Sequence, residues 1–176
     1  MSDLQCPATV LIARHGQGQH AVDGVVSADD VALTDTGREQ VHHLVGQVRT
    51  RRVAAVYCSR IGTAVESAKL AASELGLVPV VVDGLEDSSV GDLATSLHEG
   101  RRFAGAIEQI ADVHRGETVL VFSHGAVMSL AIRRLSVNVG NSLAGHGFLP
   151  HCAVAEVEVD ADGWRLVSWP GASEQA

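Results

Sequence analysis

Short apolar runs rich in β-branched residues, separated by segments of helical periodicity, constrain this chain more than any other feature. Residues 8–13 (ATVLIA), 53–58 (VAAVYC) and 118–122 (TVLVF) are such runs, and each stops at a polar or glycine-containing turn. A run without polar alternation fits a strand buried on both faces. Residues 78–82 (VPVVV) predict a fourth strand, which Pro79 restricts to a sheet edge or a strand start. Residues 153–159 and 164–169 flank Asp160-Ala161-Asp162-Gly163, a hairpin whose turn ends in glycine.

Helical patterns fill the gaps. Val41, Leu44, Val45 and Val48 recur at helical spacing behind Thr34 or Asp35 as N-cap. The alanine-rich segment 62–75 ends at Gly76, and the segment from Arg101 ends at Gly116, both suited to C-terminal caps. Another helix opens at Gly125, directly after Ser123-His124. Strand alternating with helix predicts a three-layer α/β/α fold around a mostly parallel central sheet.

The length, 176 residues, predicts one domain over 1–170, with 171–176 as a flexible tail. A formal net charge of -8 argues against nucleic acid or an anionic membrane as partner, without excluding a local basic pocket. Cys6, Cys58 and Cys152 are far apart and odd in number, so they read as small apolar residues rather than a disulfide or zinc framework. The N-terminal apolar run is short and ends in Arg14, a poor signal peptide, and no run is long enough to span a membrane. A cytoplasmic protein is expected.

Two histidines share one local setting. His15 and His124 each follow a buried strand and precede a glycine, in Arg14-His15-Gly16 and Ser123-His124-Gly125. The C-terminal ends of neighbouring parallel strands open into one crevice, so the two can meet there. A helix beginning at Gly125 aims unpaired N–H groups at that crevice, and Arg14 adds a permanent charge with a planar fork of donors. The combination points to a phosphate site in which a neutral imidazole attacks phosphorus. His20, His42, His43, His98, His114, His146 and His151 show no ligand spacing and read as incidental, although His20 lies on the loop just after the motif.

Five segments, in order, carry a family resemblance: LIARHGQ, LTDTGREQ, VYCSRIGTAVESA, LEDSSVGDL and VLVFSHGAV. Together they resemble the histidine phosphatase superfamily, which includes the cofactor-dependent phosphoglycerate mutases. The resemblance implies a phosphoglycerate mutase-like fold with His15 as the nucleophile that becomes phosphorylated. It implies Arg14, Gly16, His124 and Gly125 around the phosphoryl group, and Asp87 as the general acid where the family commonly has glutamate. It implies neither metal nor other cofactor. Three positions depart from the family pattern. Thr63 stands where a second arginine is usual, Ala21 where asparagine is common, and Leu93 where tryptophan is usual. Either Arg60, three positions before Thr63, reaches the phosphate from another backbone position, or the pocket has one charge fewer.

Asp87 and His124 are 37 positions apart (124 minus 87), shorter than in the mutases, so residues 88–115 form a short cap over an open site. A mutase must keep its phosphoryl group from water, and an open site favours hydrolysis. The expected activity is therefore hydrolysis of a phosphomonoester on a small metabolite or a phosphoprotein. The alternatives are a non-catalytic phosphate-binding module, a mutase, or a protein phosphohistidine phosphatase. Oligomeric state is not encoded in any motif.

Overall fold

The computed structural model describes residues 6–19, 31–87, 93–139 and 149–170. Six strands make one sheet: β1 (Ala8–Arg14), β2 (Val53–Cys58), β3 (Pro79–Val81), β4 (Thr118–Ser123), β5 (Val154–Asp160) and β6 (Gly163–Ser168). Four helices join them: α1 (Asp35–Val48), α2 (Gly62–Leu75), α3 (Leu93–Val113) and α4 (Gly125–Leu135). The sheet order is β3-β2-β4-β1-β5-β6. The first four strands of that order are parallel, β5 runs antiparallel to them, and β6, antiparallel to β5, returns to their direction. The three-layer, mostly parallel α/β/α arrangement is thus present. Pro79 opens β3 at the sheet edge, where its missing N–H costs no ladder bond.

Period-2 alternation explains why β1 and β4 read as unbroken apolar runs. Val10, Ile12, Val119 and Val121 face Phe103, Ile107, Met128 and Ile132 on one side. Leu11, Ala13, Leu120 and Phe122 face Val41, Leu44, Ala64 and Ala68 on the other. Helices α1 and α2 cover one face, and α3 and α4 the other. The expected cap range, 88–115, is mostly α3, whose Phe103, Ile107 and Ala111 are fully buried against the sheet.

Local chemistry sets the element ends. Thr34 is the N-cap of α1, its hydroxyl accepting from the Gly37 N–H. Gly76 closes α2 in the left-handed region at φ 72°. Gly163, at φ 120°, turns β5 into β6, while the Asp160 carboxylate accepts from the Asp162 N–H at 2.8 Å. Strand β5 alternates buried with half-buried residues, as a strand with one solvated face does. No helix among the described residues is long and apolar enough to cross a membrane. The three cysteines are all free, with Cys6 exposed and Cys58 buried.

Candidate active site

Strand register assembles the site. Arg14 of β1 lies opposite Ser123 of β4, so the next residues, His15 and His124, emerge side by side. The His15 N–H continues the ladder to the Ser123 carbonyl at 3.0 Å, and the two rings are 5.1 Å apart between centroids. On the far side of β4, Ser59 follows β2 and donates its N–H to the Phe122 carbonyl at 3.2 Å. Its fully buried hydroxyl meets His124 Nε2 at 2.7 Å. Three adjacent strand ends thus deliver His15, His124 and Ser59 to one crevice.

The His15 ring is held in one tautomer. Its Nδ1 lies 2.7 Å from the Gly16 carbonyl, which can only accept, so Nδ1 carries the hydrogen. The lone pair is then on Nε2. Gly16 is itself anchored, since its N–H donates to the buried Ser67 hydroxyl at 3.0 Å and that hydroxyl donates to the Thr63 carbonyl. The following residue is clamped by α1. Gln17 donates its N–H to the Gln40 side chain at 2.9 Å, and its carbonyl accepts the Thr34 N–H at the same distance. This is the physical content of LTDTGREQ: Thr34, Gly37 and Gln40 grip the loop behind the nucleophile. A Cβ on Gly16 would sit 2.6 Å from the Gly37 carbonyl oxygen, and one on Gly37 only 2.2 Å from that of Gln17.

Arg14 lies across the start of α4. A Cβ on Gly125 would come within 3.2 Å of the Arg14 side chain, so glycine there gives the guanidinium its place. Arg14 donates from Nη1 to the Leu149 carbonyl at 2.9 Å, while its buried Nε meets no acceptor among the described residues. Asp87 Oδ2 accepts from the Val127 N–H in the first turn of α4 at 3.4 Å, and its charge is felt at both Arg14 and His15. Burial lowers the Arg14 pKa, and Asp87 raises it.

Both ring pKa values fall. Burial pushes His15 down to about 4; His151 and Arg14 add to this, and the Gly16 carbonyl and Asp87 oppose it. Burial pushes His124 down to about 3, helped by His15 and Arg14. Both imidazoles are neutral at pH 7. Cys152, next to the site, is raised to about 12 by burial and stays a thiol.

The pocket is about 330 Å³ and is lined by Arg14, His15, Gln17, Thr63, His124 and His151, among others. Arg60 is not in this lining: its side chain is 64% exposed and its Nε faces Glu86 at 3.6 Å. Thr63, at the position where the superfamily commonly has arginine, is a buried wall residue. His151, read as incidental from the sequence, lies in the site. Its ring is 5.3 Å from that of His15, and its Nδ1 is 3.1 Å from the His15 carbonyl. Only the fold reveals it, because β5 returns antiparallel beside β1. Ser59 and Ser67 both lie within VYCSRIGTAVESA, but their roles depend on which strand ends are neighbours. His20, Ala21 and His146 lie outside the described residues, as do residues 88–92 of the expected cap.

A family model for the histidine phosphatase superfamily, branch 1, matches residues 10–100 and 94–171. The chain belongs to that superfamily. Among curated superfamily relatives is phosphoglycerate mutase-like protein 4 of Arabidopsis thaliana, 22% identical over 156 residues, covering 69% of this chain and 68% of that protein. Another is a probable phosphoglycerate mutase, GpmB, of Yersinia pestis, 21% identical over 196 residues, with 91% and 89% covered. Among solved structures, Bacillus stearothermophilus YhfR superposes with a TM-score of 0.76 at 21% identity, covering 94% of this chain and 98% of that one. A mycobacterial glucosyl-3-phosphoglycerate phosphatase complexed with VO3 gives 0.71 at 18% identity, with 92% and 98% covered. The protein histidine phosphatase SixA, complexed with tungstate, gives 0.63 at 20% identity, with 92% and 94% covered. Superfamily membership implies phosphatase or mutase-like activity.

Proposed function

We propose that this chain is a phosphomonoesterase that works through phospho-His15. The observation that carries the reading is the His15 ring. Its Nδ1 hydrogen is committed to the Gly16 carbonyl, so the lone pair sits on Nε2, beside a half-buried arginine and the first turn of α4. In the first step Nε2 attacks phosphorus in line, the bond to the leaving oxygen breaks, and protonated Asp87 gives that oxygen its proton. Arg14, His124 and the N–H groups near Gly125 hold the phosphoryl oxygens, whereas Gly16, its N–H taken by Ser67, orients the His15 ring instead of binding phosphate. In the second step water, deprotonated by the ionised Asp87, attacks phosphorus and breaks the P–N bond. Phosphate leaves and neutral His15 returns.

Hydrolysis is favoured over mutase chemistry by the short stretch from Asp87 to His124, most of which α3 commits to the core rather than to a cover. An accessible pocket suits a small phosphorylated metabolite or a phosphorylated protein side chain. We assign no metal or other cofactor, and a cytoplasmic setting accords with the sequence.

The test is trapping. The protein is incubated with a ³²P-labelled phosphate donor, quenched in base, and examined for alkali-stable, acid-labile label. Label is expected in wild type and absent in His15→Ala. In Asp87→Asn, labelling from an alkyl phosphate should slow far more than labelling from an activated aryl phosphate. No label and no released phosphate from any donor would instead make the pocket a binding module.

A further inference from the structure

Charge in this pocket does not balance for a phosphomonoester. Such a group carries between one and two negative charges at neutral pH, as about -1.5 to -2 on phosphoserine illustrates. Arg14 is the one permanent cation among the described lining residues, and it already faces Asp87. Arg60 is turned to Glu86, which also pairs with Arg102 at 3.1 Å. Thr63 contributes a hydroxyl to the wall and no charge. His15 must stay neutral to attack. A bound dianion therefore draws a proton from solvent onto a group of the site: the Asp87 carboxylate, or an imidazole of the wall, His124 or His151.

Geometry separates the two imidazoles. His124 is 8% exposed, has Ser59 on Nε2, and sits against Arg14 through Gly125. His151 is half-buried and lines the pocket from the β5 side. Its Nδ1 partner is the main-chain carbonyl of His15, which only accepts. The hydrogen is thus fixed on Nδ1, Nε2 is the nitrogen that titrates, and a carbonyl on Nδ1 favours the imidazolium. The turn that presents this ring is set against ordinary preference. Cys152 is a non-glycine residue at φ 56°, held there by its N–H to the Arg14 carbonyl at 3.0 Å. A left-handed cysteine is strained and persists because its surroundings impose it. Among the described residues, the ionisable groups that share the pocket wall with His151 are His15 and Arg14 at the end of β1 and His124 before α4, with the Cys152 thiol next in the chain.

We infer that His151 is a third phosphoryl-binding histidine, which takes up a proton as the substrate binds and supplies the second positive charge of the pocket. The inference rests on the phosphoryl pocket proposed above. It makes affinity for a dianion fall as pH rises, with one proton absorbed per anion bound.

The probe is tungstate, kept dilute enough at each pH to remain the monomeric dianion, so any proton taken up resides on the protein. Its binding to the full chain is measured calorimetrically at about pH 6.5, 7.5 and 8.5 in buffers of different ionisation enthalpy. Wild type should absorb close to one proton and lose up to about tenfold in affinity per pH unit. His151→Asn should bind more weakly at the lowest pH and lose both the proton uptake and most of the slope. His151→Gln serves the same purpose if the asparagine variant does not fold. Wild-type uptake and slope in these variants would overturn the inference and place the proton on His124 or Asp87. Absence of uptake in wild type would overturn it equally. Failure of wild type to bind tungstate at all would remove the phosphoryl pocket itself, a different result from either.

Discussion

At the scale of single residues, one hydroxyl governs how His124 presents itself. Ser59 Oγ accepts the Ile61 N–H at 3.4 Å and meets His124 Nε2 at 2.7 Å, in a place with no access to water. With the serine hydrogen directed at Nε2, the His124 proton lies on Nδ1, the nitrogen left to donate to a phosphoryl oxygen. Ser59→Ala removes the partner and leaves a buried ring nitrogen unpaired. The expected cost is about 1–3 kcal/mol of folding stability, together with weaker anion binding. Urea unfolding and tungstate titration measure the two. Unchanged values in both would mean that His124 is oriented by something other than Ser59. The neighbouring Arg60 shows how sharply roles change in one step along the chain, since it points outward to Glu86.

At the scale of elements, the meeting of α1 with the loop after β1 is the tightest backbone contact of the site. Gly37 stands in the first turn of α1 and leaves no room for a methyl group, because a Cβ there would lie 2.2 Å from the Gln17 carbonyl oxygen. Gly46, in the same helix, is exposed and has nothing within 4 Å of its added Cβ. The two make a controlled pair. Gly37→Ala forces the loop away and should destabilise by about 1–3 kcal/mol, with loss of activity from a displaced His15. Gly46→Ala relieves helix entropy and should stabilise by about 0.5–1 kcal/mol with activity unchanged. Denaturation midpoints and turnover on one aryl phosphate check both. Equal effects of the two substitutions would show that helix propensity, not the packing against Gln17, governs this element.

At the scale of the whole molecule, legibility followed from how far each feature depends on distant chain. The strands were readable because burial on both faces leaves continuous apolar runs, and the helix ends because Thr34 and Gly76 carry their own capping chemistry. The placement of His15 beside His124 needed only two parallel neighbours with matching strand ends. His151 was unreadable because its contact with His15 spans 136 positions and depends on an antiparallel strand arriving at the end of β1. Arg60 was ambiguous because side-chain direction at a strand end is decided by the nearby Glu86, not by spacing. The same convergence of histidines sets how the fold responds to acid. His15 and His124 have ordinary values of 6.5 when unfolded and about 4 and about 3 when folded. Below pH 6.5 the unfolded chain takes up protons that the native site refuses, so stability present above that pH is lost as pH falls toward the folded values. Where both rings are charged only in the unfolded state, the pair contributes a slope of about 2.7 kcal/mol per pH unit. His15→Asn removes one of the two. Its unfolding free energy should therefore fall less steeply than wild type, by about 1.4 kcal/mol per pH unit between about pH 4.5 and 6. Urea unfolding of both proteins across that window, with tungstate left out, gives the difference directly, and groups common to both cancel. Parallel curves would mean that His15 becomes protonated inside the fold, and with that the neutral nucleophile would lose its physical basis at mildly acidic pH.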